Sequence, residues 1–258
     1  MARDFLCGAA MMAGAVIMAA WSTPALAQSQ PRAVLELFTS QGCSSCPPAD
    51  ELLGELALDS DVLAVTLPVK LWDFLGWQDT LATQQNTDRQ MAYSVARGDR
   101  DVYTPQMMVN GELGVVASDR DAVEAAINES ADAMTLPIFA SVENDVLSIS
   151  IPSSAEGPVD VTLWLLVVED EVTVPIGAGE NRGRKLVYHN VVREMRPMGM
   201  WKGRPMQIDL PLTDLKKSES FGCIIIAQEH TFRGPGRIIG AAAVDKLFPG
   251  TAMATAEQ

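Results

Sequence analysis

GCSSCPP, residues 42–48, follows directly on the apolar run AVLELF, residues 33–38. The run is typical of a buried β-strand, and the two prolines are tolerated in the first turn of a helix. The strand therefore brings Cys43 and Cys46 to a helix start, where the helix dipole and unpaired N–H groups favour a thiolate. With two residues between them, the cysteines can form a small disulfide ring or a dithiol. Thiol–disulfide chemistry is the leading hypothesis.

The first 27 residues have the pattern of a secretory signal peptide. Met1-Ala2-Arg3 is a short basic start, residues 9–20 form an uncharged apolar run, and Ala25-Leu26-Ala27 matches the small-x-small site of a signal peptidase. The apolar run is shorter than the ~20 residues that a membrane span requires. We therefore expect residues 1–27 to be removed, which leaves a periplasmic or secreted protein without a stable membrane anchor.

The cysteine count agrees with one redox pair. Of the four cysteines, Cys7 is lost with the signal peptide, and Cys43 and Cys46 are the obvious pair among the rest. Cys223 lies in the apolar strand-like run at residues 221–226. We interpret it as a small buried hydrophobic side chain, with a resolving cysteine as the alternative.

The chain is strongly acidic, with 19 Lys and Arg against 33 Asp and Glu, a net charge of −14. This charge repels the phosphate backbone of nucleic acids and anionic lipid surfaces. Nucleic-acid binding is therefore disfavoured as a function class.

Strand and helix signals alternate through the first half of the chain. They predict a helix from Pro47, a strand at residues 62–67, an irregular aromatic-rich stretch at residues 71–77, a helix capped near Thr87 that ends at Gly98, a hairpin that turns at Asn110-Gly111, and a helix capped by Ser118.

Strand-like segments dominate after Pro137. They lie at residues 147–151, 159–168, 185–192, 206–210, 221–227 and 238–243. Short strands separated by turns predict a β-rich, sandwich-like C-terminal domain over residues 137–248.

Seven stretches carry a family resemblance: residues 36–50, 72–73, 76–77, 102–107, 109–111, 179–181 and 188–192. Together they resemble a bacterial exported family known as domain of unknown function 1223, and the order of elements resembles the thioredoxin fold. The resemblance implies an α/β thioredoxin-like domain over residues 32–131 ahead of the β-rich domain, and it implies no known reaction. Relatives usually carry His and Asp where this chain has Pro68 and Lys70. Lys70 is either a charge that favours a nearby thiolate or a solvated surface lysine.

In the exchange interpretation, Cys43 is the attacking thiol, and Cys46, followed by proline, is the shielded resolving thiol. The resemblance adds Pro105, because in thioredoxin-like folds the proline that opens this hairpin has a cis peptide bond and faces the two cysteines. Thr104 would then offer its backbone to an extended peptide substrate. Trp72 either lines that substrate groove or packs in the core. The partners would be other exported proteins.

Further side chains have two interpretations each. Asp73 is either a proton acceptor for Cys46 or a helix cap, and His189 either faces the redox site or is a hydrogen-bonded structural histidine. The loop at residues 179–184 is interpreted as flexible, and its two arginines are a weak signal for an anion site.

Other functions for the cysteine pair remain open. A structural disulfide over so short a loop would remove little entropy from the unfolded chain. A metal site would need further ligands, with only His189 and His230 available as histidines, unless the metal is copper(I) held by the two thiolates alone. We expect no cofactor and no resident metal. The runner-up is a binding protein, either a copper(I) carrier or a chaperone-like module.

Overall fold

The computed structural model describes residues 30–154, 160–215 and 221–244. The predicted signal peptide at residues 1–27 lies outside the described residues, as do residues 245–248 of the predicted C-terminal domain. Within the described ranges, no helix combines the length and the apolar character that a membrane crossing requires.

The elements of the first half follow the predicted order. They are β1 (Ala33–Thr39), α1 (Pro47–Leu56), β2 (Val62–Pro68), a 3-10 helix (Lys70–Leu75), α2 (Gln84–Arg97), β3 (Gln106–Val109), β4 (Leu113–Val116) and α3 (Arg120–Glu129). The cap assignments for α2 and α3 were wrong. Thr83 caps α2 by accepting from the Asn86 N–H, and Asp119 caps α3 by accepting from the Ala122 N–H.

The second half is built from strands. They are β5 (Phe139–Glu143), β6 (Val146–Ile151), β7 (Val161–Pro175), β8 (Lys185–Trp201), β9 (Met206–Pro211), β10 (Phe221–Thr231) and β11 (Gly234–Val244). The segments predicted as strands are confirmed, although β7 and β8 are much longer than their apolar runs. β5 was not predicted.

The predicted fold class was wrong. Strands of both halves form one eight-stranded mixed sheet with the order β11-β10-β7-β8-β2-β1-β3-β4, while β5, β6 and β9 form a second, three-stranded sheet. The halves join where β2 runs parallel to β8, with Thr66 opposite Val191. The protein is therefore mostly β, and not an α/β thioredoxin-like domain followed by a separate β domain.

Side chains reinforce the junction between β2 and β8. The Thr66 hydroxyl donates to the carbonyl oxygen of His189 at 2.6 Å, and the Asn190 amide donates to the carbonyl oxygen of Ala64 at 2.9 Å. Without β8, β2 would present an unpaired edge. This long-range pairing, which local sequence patterns do not report, is the physical reason for the corrected fold class.

The large sheet is buried on both faces, which explains the near-continuous apolar runs of its central strands. On one face, Val34 and Phe38 of β1 share a core with Leu166 of β7 and Tyr93 of α2, so this core spans both halves. On the other face, β1 packs against α1 and α3, while β7, β10 and β11 pack against the three-stranded sheet. The segment between β1 and α1 therefore lies at the end of β1, next to the junction with β8.

Candidate functional site

The two cysteines form a disulfide at the start of α1. Cys43 and Cys46 are bonded to each other, with their Cα atoms 5.4 Å apart. Cys43 is 4% exposed and Cys46 is fully buried, whereas Ser44 and Ser45 between them are exposed. The Cys43 Sγ lies 3.4 Å from the Ser45 hydroxyl oxygen. The two serines and the edge of Cys43 are therefore more accessible to solvent than Cys46.

The start of α1 differs from the sequence expectation in one respect. Cys46 is the N-cap residue, and Pro47 and Pro48, which follow it, carry no backbone N–H. The next two N–H groups, of Ala49 and Asp50, both donate to the Cys46 carbonyl oxygen, at 2.8 and 3.1 Å. The first turn of α1 therefore offers a thiolate the helix dipole, but not the unpaired N–H groups that we expected.

A buried asparagine from the second half holds the cysteine segment. The Asn181 side-chain amide donates to the carbonyl oxygens of Gln41 and Cys43, at 3.0 and 2.8 Å. Its own oxygen accepts from Arg184 at 3.1 Å. The connection between β7 and β8, interpreted from sequence as a flexible loop, is thus bonded to the backbone at Gln41 and Cys43.

The remaining predicted substrate residues lie beside this segment. The Trp72 indole N–H donates to the Thr104 hydroxyl at 2.7 Å, and the Thr104–Pro105 peptide bond is cis, as the resemblance implied. A Cβ atom added to Gly42 would lie 2.9 Å from the Cβ of Trp72, so only glycine fits beside this tryptophan. Trp72 therefore connects the residue before Cys43 to the Thr104–Pro105 segment.

An exposed aromatic side chain extends this arrangement to the surface. Phe74 is 76% exposed, and its ring centroid lies 6.1 Å from that of Trp72. Leu75 beside it is also exposed. Exposed apolar surface thus lies on the 3-10 helix next to Trp72.

A buried carboxyl group near Cys46 was missed by the sequence analysis. Asp50 of α1 is 4% exposed, and neither of its carboxyl oxygens has a hydrogen-bond partner of normal geometry among the described residues. Burial raises the pKa of Asp50 well above its ordinary value; the nearby Thr39 hydroxyl opposes this rise, and Asp79 and Glu51 add to it. The sequence signal that could have identified Asp50 is its position four residues after Cys46. Helical residues at that spacing lie on the same face of the helix.

Two further groups belong to this buried set. Asp79 accepts from the backbone N–H groups of Gln41, Leu81 and Ala82, and burial raises its pKa. Tyr188 of β8 is 1% exposed, and its pKa is raised by burial, then by Asp50 and Asp79.

The other predicted candidates lie elsewhere. Asp73 accepts from the backbone N–H of Asp79 at 3.1 Å, and this bond ties the 3-10 helix to the loop that follows it. Lys70 is exposed, and its backbone N–H donates to the Thr87 hydroxyl. His189 packs against Gly54 of α1, two turns beyond Cys46, with its Nδ1 atom 3.9 Å from a Glu171 carboxylate oxygen.

Two further predictions concern Cys223 and a metal site. Cys223 is 1% exposed and lies in the core between the two sheets. Across the described ranges, no group of three or more His, Cys, Asp and Glu side chains is placed to hold a metal ion.

Comparisons with known proteins match one family model and several chains of solved structures. The family model described as "Protein of unknown function (DUF1223)" matches residues 34–228. A protein from Agrobacterium tumefaciens with a known crystal structure is 33% identical in sequence to this chain, and the two structures superpose with a TM-score of 0.75. The match covers 84% of this chain and 96% of that one. The comparison with curated proteins gave no match.

Proposed function

The chain belongs to the family described as protein of unknown function (DUF1223), and we propose that it exchanges disulfides with other exported polypeptides through Cys43 and Cys46. The observation that carries the proposal is the bond between these two cysteines at the first turn of α1, with Cys43 4% exposed and Cys46 fully buried. This difference supports Cys43 as the attacked sulfur and Cys46 as the leaving sulfur.

When the protein is reduced and its substrate is oxidised, a substrate thiolate attacks the Cys43 Sγ. The Cys43–Cys46 bond breaks, Cys46 leaves as a thiolate, and Cys43 is joined to the substrate in a mixed disulfide. A second substrate thiolate then attacks the substrate sulfur, so that the substrate leaves oxidised and the protein keeps both thiols. The reverse sequence oxidises the protein and reduces the substrate, with the same atoms and electrons.

The neighbouring residues support a polypeptide substrate. Thr104, next to the cis bond to Pro105, is linked through Trp72 to Gly42 beside Cys43, and in this proposal its backbone pairs with an extended chain. Trp72 is held there by its bond to Thr104, and Phe74 provides exposed apolar surface next to it. An extended segment with an apolar side chain close to its cysteine suits this arrangement.

Trapping of mixed disulfides tests the proposal. Cys46→Ser keeps the attacking thiol but removes the thiol that releases it, so substrates should accumulate as mixed disulfides through Cys43. Cys43→Ser retains only the buried thiol and should trap little. The matched control is Cys223→Ala, which leaves the exchanging pair intact. Mass spectrometry of non-reduced complexes from an exporting host identifies the bonded cysteines.

Two outcomes would contradict exchange. Equal trapping by both serine variants, or none by either, would favour a structural disulfide. Copper bound by the reduced protein at one ion per chain, and lost with either serine variant, would favour the copper(I) carrier. Export is tested on the same samples, because the mature chain should begin at Gln28. A chain that keeps Met1 and fractionates with membranes would overturn that part of the proposal.

A further inference from the structure

Asp50 is a buried carboxyl group whose presence the fold alone does not explain. It lies one helical turn after Cys46, and its backbone N–H donates to the Cys46 carbonyl oxygen at 3.1 Å. Side chains four residues apart lie on the same face of a helix, so the carboxyl group and the buried sulfur share one side of α1. Burying a carboxyl group whose oxygens have no hydrogen bond of normal geometry costs stability, which indicates a role beyond packing.

We propose that Asp50 holds and returns the proton of the Cys46 thiol during disulfide exchange. This inference rests on the proposed function and adds a residue to it. Among the described residues, Asp50 is the side chain that combines the position one turn from Cys46, almost complete burial and two carboxyl oxygens without a hydrogen bond of normal geometry.

The groups around Asp50 favour its protonated form in the oxidised protein. Thr39 of β1 faces it, Glu51 follows it on α1, Asp79 approaches from the loop before α2, and Tyr188 approaches from β8. Burial is the main cause of the raised pKa, and the two neighbouring carboxylates act in the same direction. One turn farther along α1, His189 lies at Gly54 and close to Glu171. Asp50 can therefore keep a proton at a pH where an exposed aspartate has lost it.

The proton is used when the disulfide is reduced. A thiolate attacks the Cys43 Sγ, the S–S bond breaks, and the electron pair of that bond remains on the Cys46 Sγ. The Asp50 carboxylic acid then gives its proton to this sulfur and becomes a carboxylate. In the oxidising direction the carboxylate takes the proton back, and the Cys46 thiolate attacks the Cys43 sulfur of the mixed disulfide.

The experiment uses dithiothreitol as the reductant of the full-length oxidised protein. The reduction rate is measured against pH and divided by the thiolate fraction of dithiothreitol. In the wild type, this corrected rate should fall as pH rises through the pKa of Asp50. Asp50→Asn should reduce about a hundredfold more slowly at the acidic end and show no such fall. Asp50→Glu, which keeps a carboxyl group, should recover part of the rate and the pH dependence.

The matched control is Glu129→Gln, which changes an exposed carboxylate at the end of α3. It should keep the wild-type profile. Infrared difference spectra between oxidised and reduced protein provide a second readout, because a protonated carboxyl band should decrease on reduction in the wild type and stay unchanged in Asp50→Asn. An Asp50→Asn profile that superimposes on the wild type, or an unchanged carboxyl band in the wild type, would overturn the proposal.

The two proposals can fail separately. Dithiothreitol reduction requires no polypeptide partner, so a role for Asp50 would survive if no polypeptide were trapped by Cys46→Ser. Conversely, trapping with an unaltered Asp50→Asn profile would retain disulfide exchange and remove Asp50 from it.

Discussion

The side-chain amide of Asn181 donates to the backbone carbonyl oxygen of Cys43 at 2.8 Å, across 138 residues of sequence. The same amide also bonds to the carbonyl oxygen of Gln41, and the asparagine is fully buried. The turn that carries the disulfide is therefore fixed by the connection between β7 and β8. The second half of the chain takes part in the candidate site as well as in the sheet.

Asn181→Ala should destabilise the oxidised protein by about 2–4 kcal/mol, because two buried carbonyl oxygens lose their donor. Urea unfolding measures the loss. The control is Asn128→Ala, an exposed position in α3 that should change stability by less than about 0.5 kcal/mol. In reduced Asn181→Ala, Cys43 should be alkylated faster than in the reduced wild type, because the turn that carries it is less restrained. Unchanged stability and alkylation would mean that these bonds do not fix the turn.

Asp50 should make the oxidised protein less stable as pH rises. Its folded pKa is raised by burial, so the folded state binds the proton more tightly than the unfolded chain. This contribution is complete below the unfolded pKa of about 3.9 and is lost as pH rises through the folded pKa. The wild-type free energy of unfolding should therefore fall more steeply with pH, from about pH 4 upward, than that of Asp50→Asn. Glu129→Gln, an exposed position in α3, should keep the wild-type slope, whereas parallel curves for wild type and Asp50→Asn would contradict the burial effect.

The buried ion pair between Arg89 and Glu36 should be costly to break. Arg89 Nε lies 2.6 Å from Glu36, and the Tyr93 hydroxyl donates to the same carboxylate at 2.5 Å. Arg89→Met leaves a buried carboxylate without its cation, so unfolding experiments should show a loss of about 3–5 kcal/mol. The double variant with Glu36→Gln should recover part of it. Arg120→Met, at an exposed ion pair, should cost less than about 1 kcal/mol.

Cys223→Ala should leave disulfide exchange unchanged and lower stability by about 1 kcal/mol, because a buried sulfur is replaced by a small cavity in the core between the sheets. Dithiothreitol reduction rates and urea unfolding measure the two effects. Detection of a Cys43–Cys223 or Cys46–Cys223 bond in the wild type would contradict this assignment.

Local signals predicted the individual elements well. The apolar run before Cys43 is β1, the two prolines begin α1, and Asn110-Gly111 turns the hairpin with φ values of 49° and 69°. Helix caps were assigned less well, since Thr83 and Asp119 replaced the predicted Thr87 and Ser118. Several residues near a helix start can accept from its first N–H groups, and the packing of the helix decides which of them does.

The sequence by itself determined the disulfide-forming spacing of Cys43 and Cys46, the order of strands and helices in the first half, and the family resemblance, because each depends on residues close together in the chain. Only the tertiary structure decided that β8 pairs with β2, that Asn181 holds Cys43, and that Asp50 is buried one turn after Cys46 with no hydrogen bond of normal geometry to its carboxyl oxygens. Strand pairing across more than a hundred residues depends on register and on the burial of both sheet faces, which no local pattern encodes. The protonation of a carboxyl group depends on the solvent and charges that the complete fold places around it.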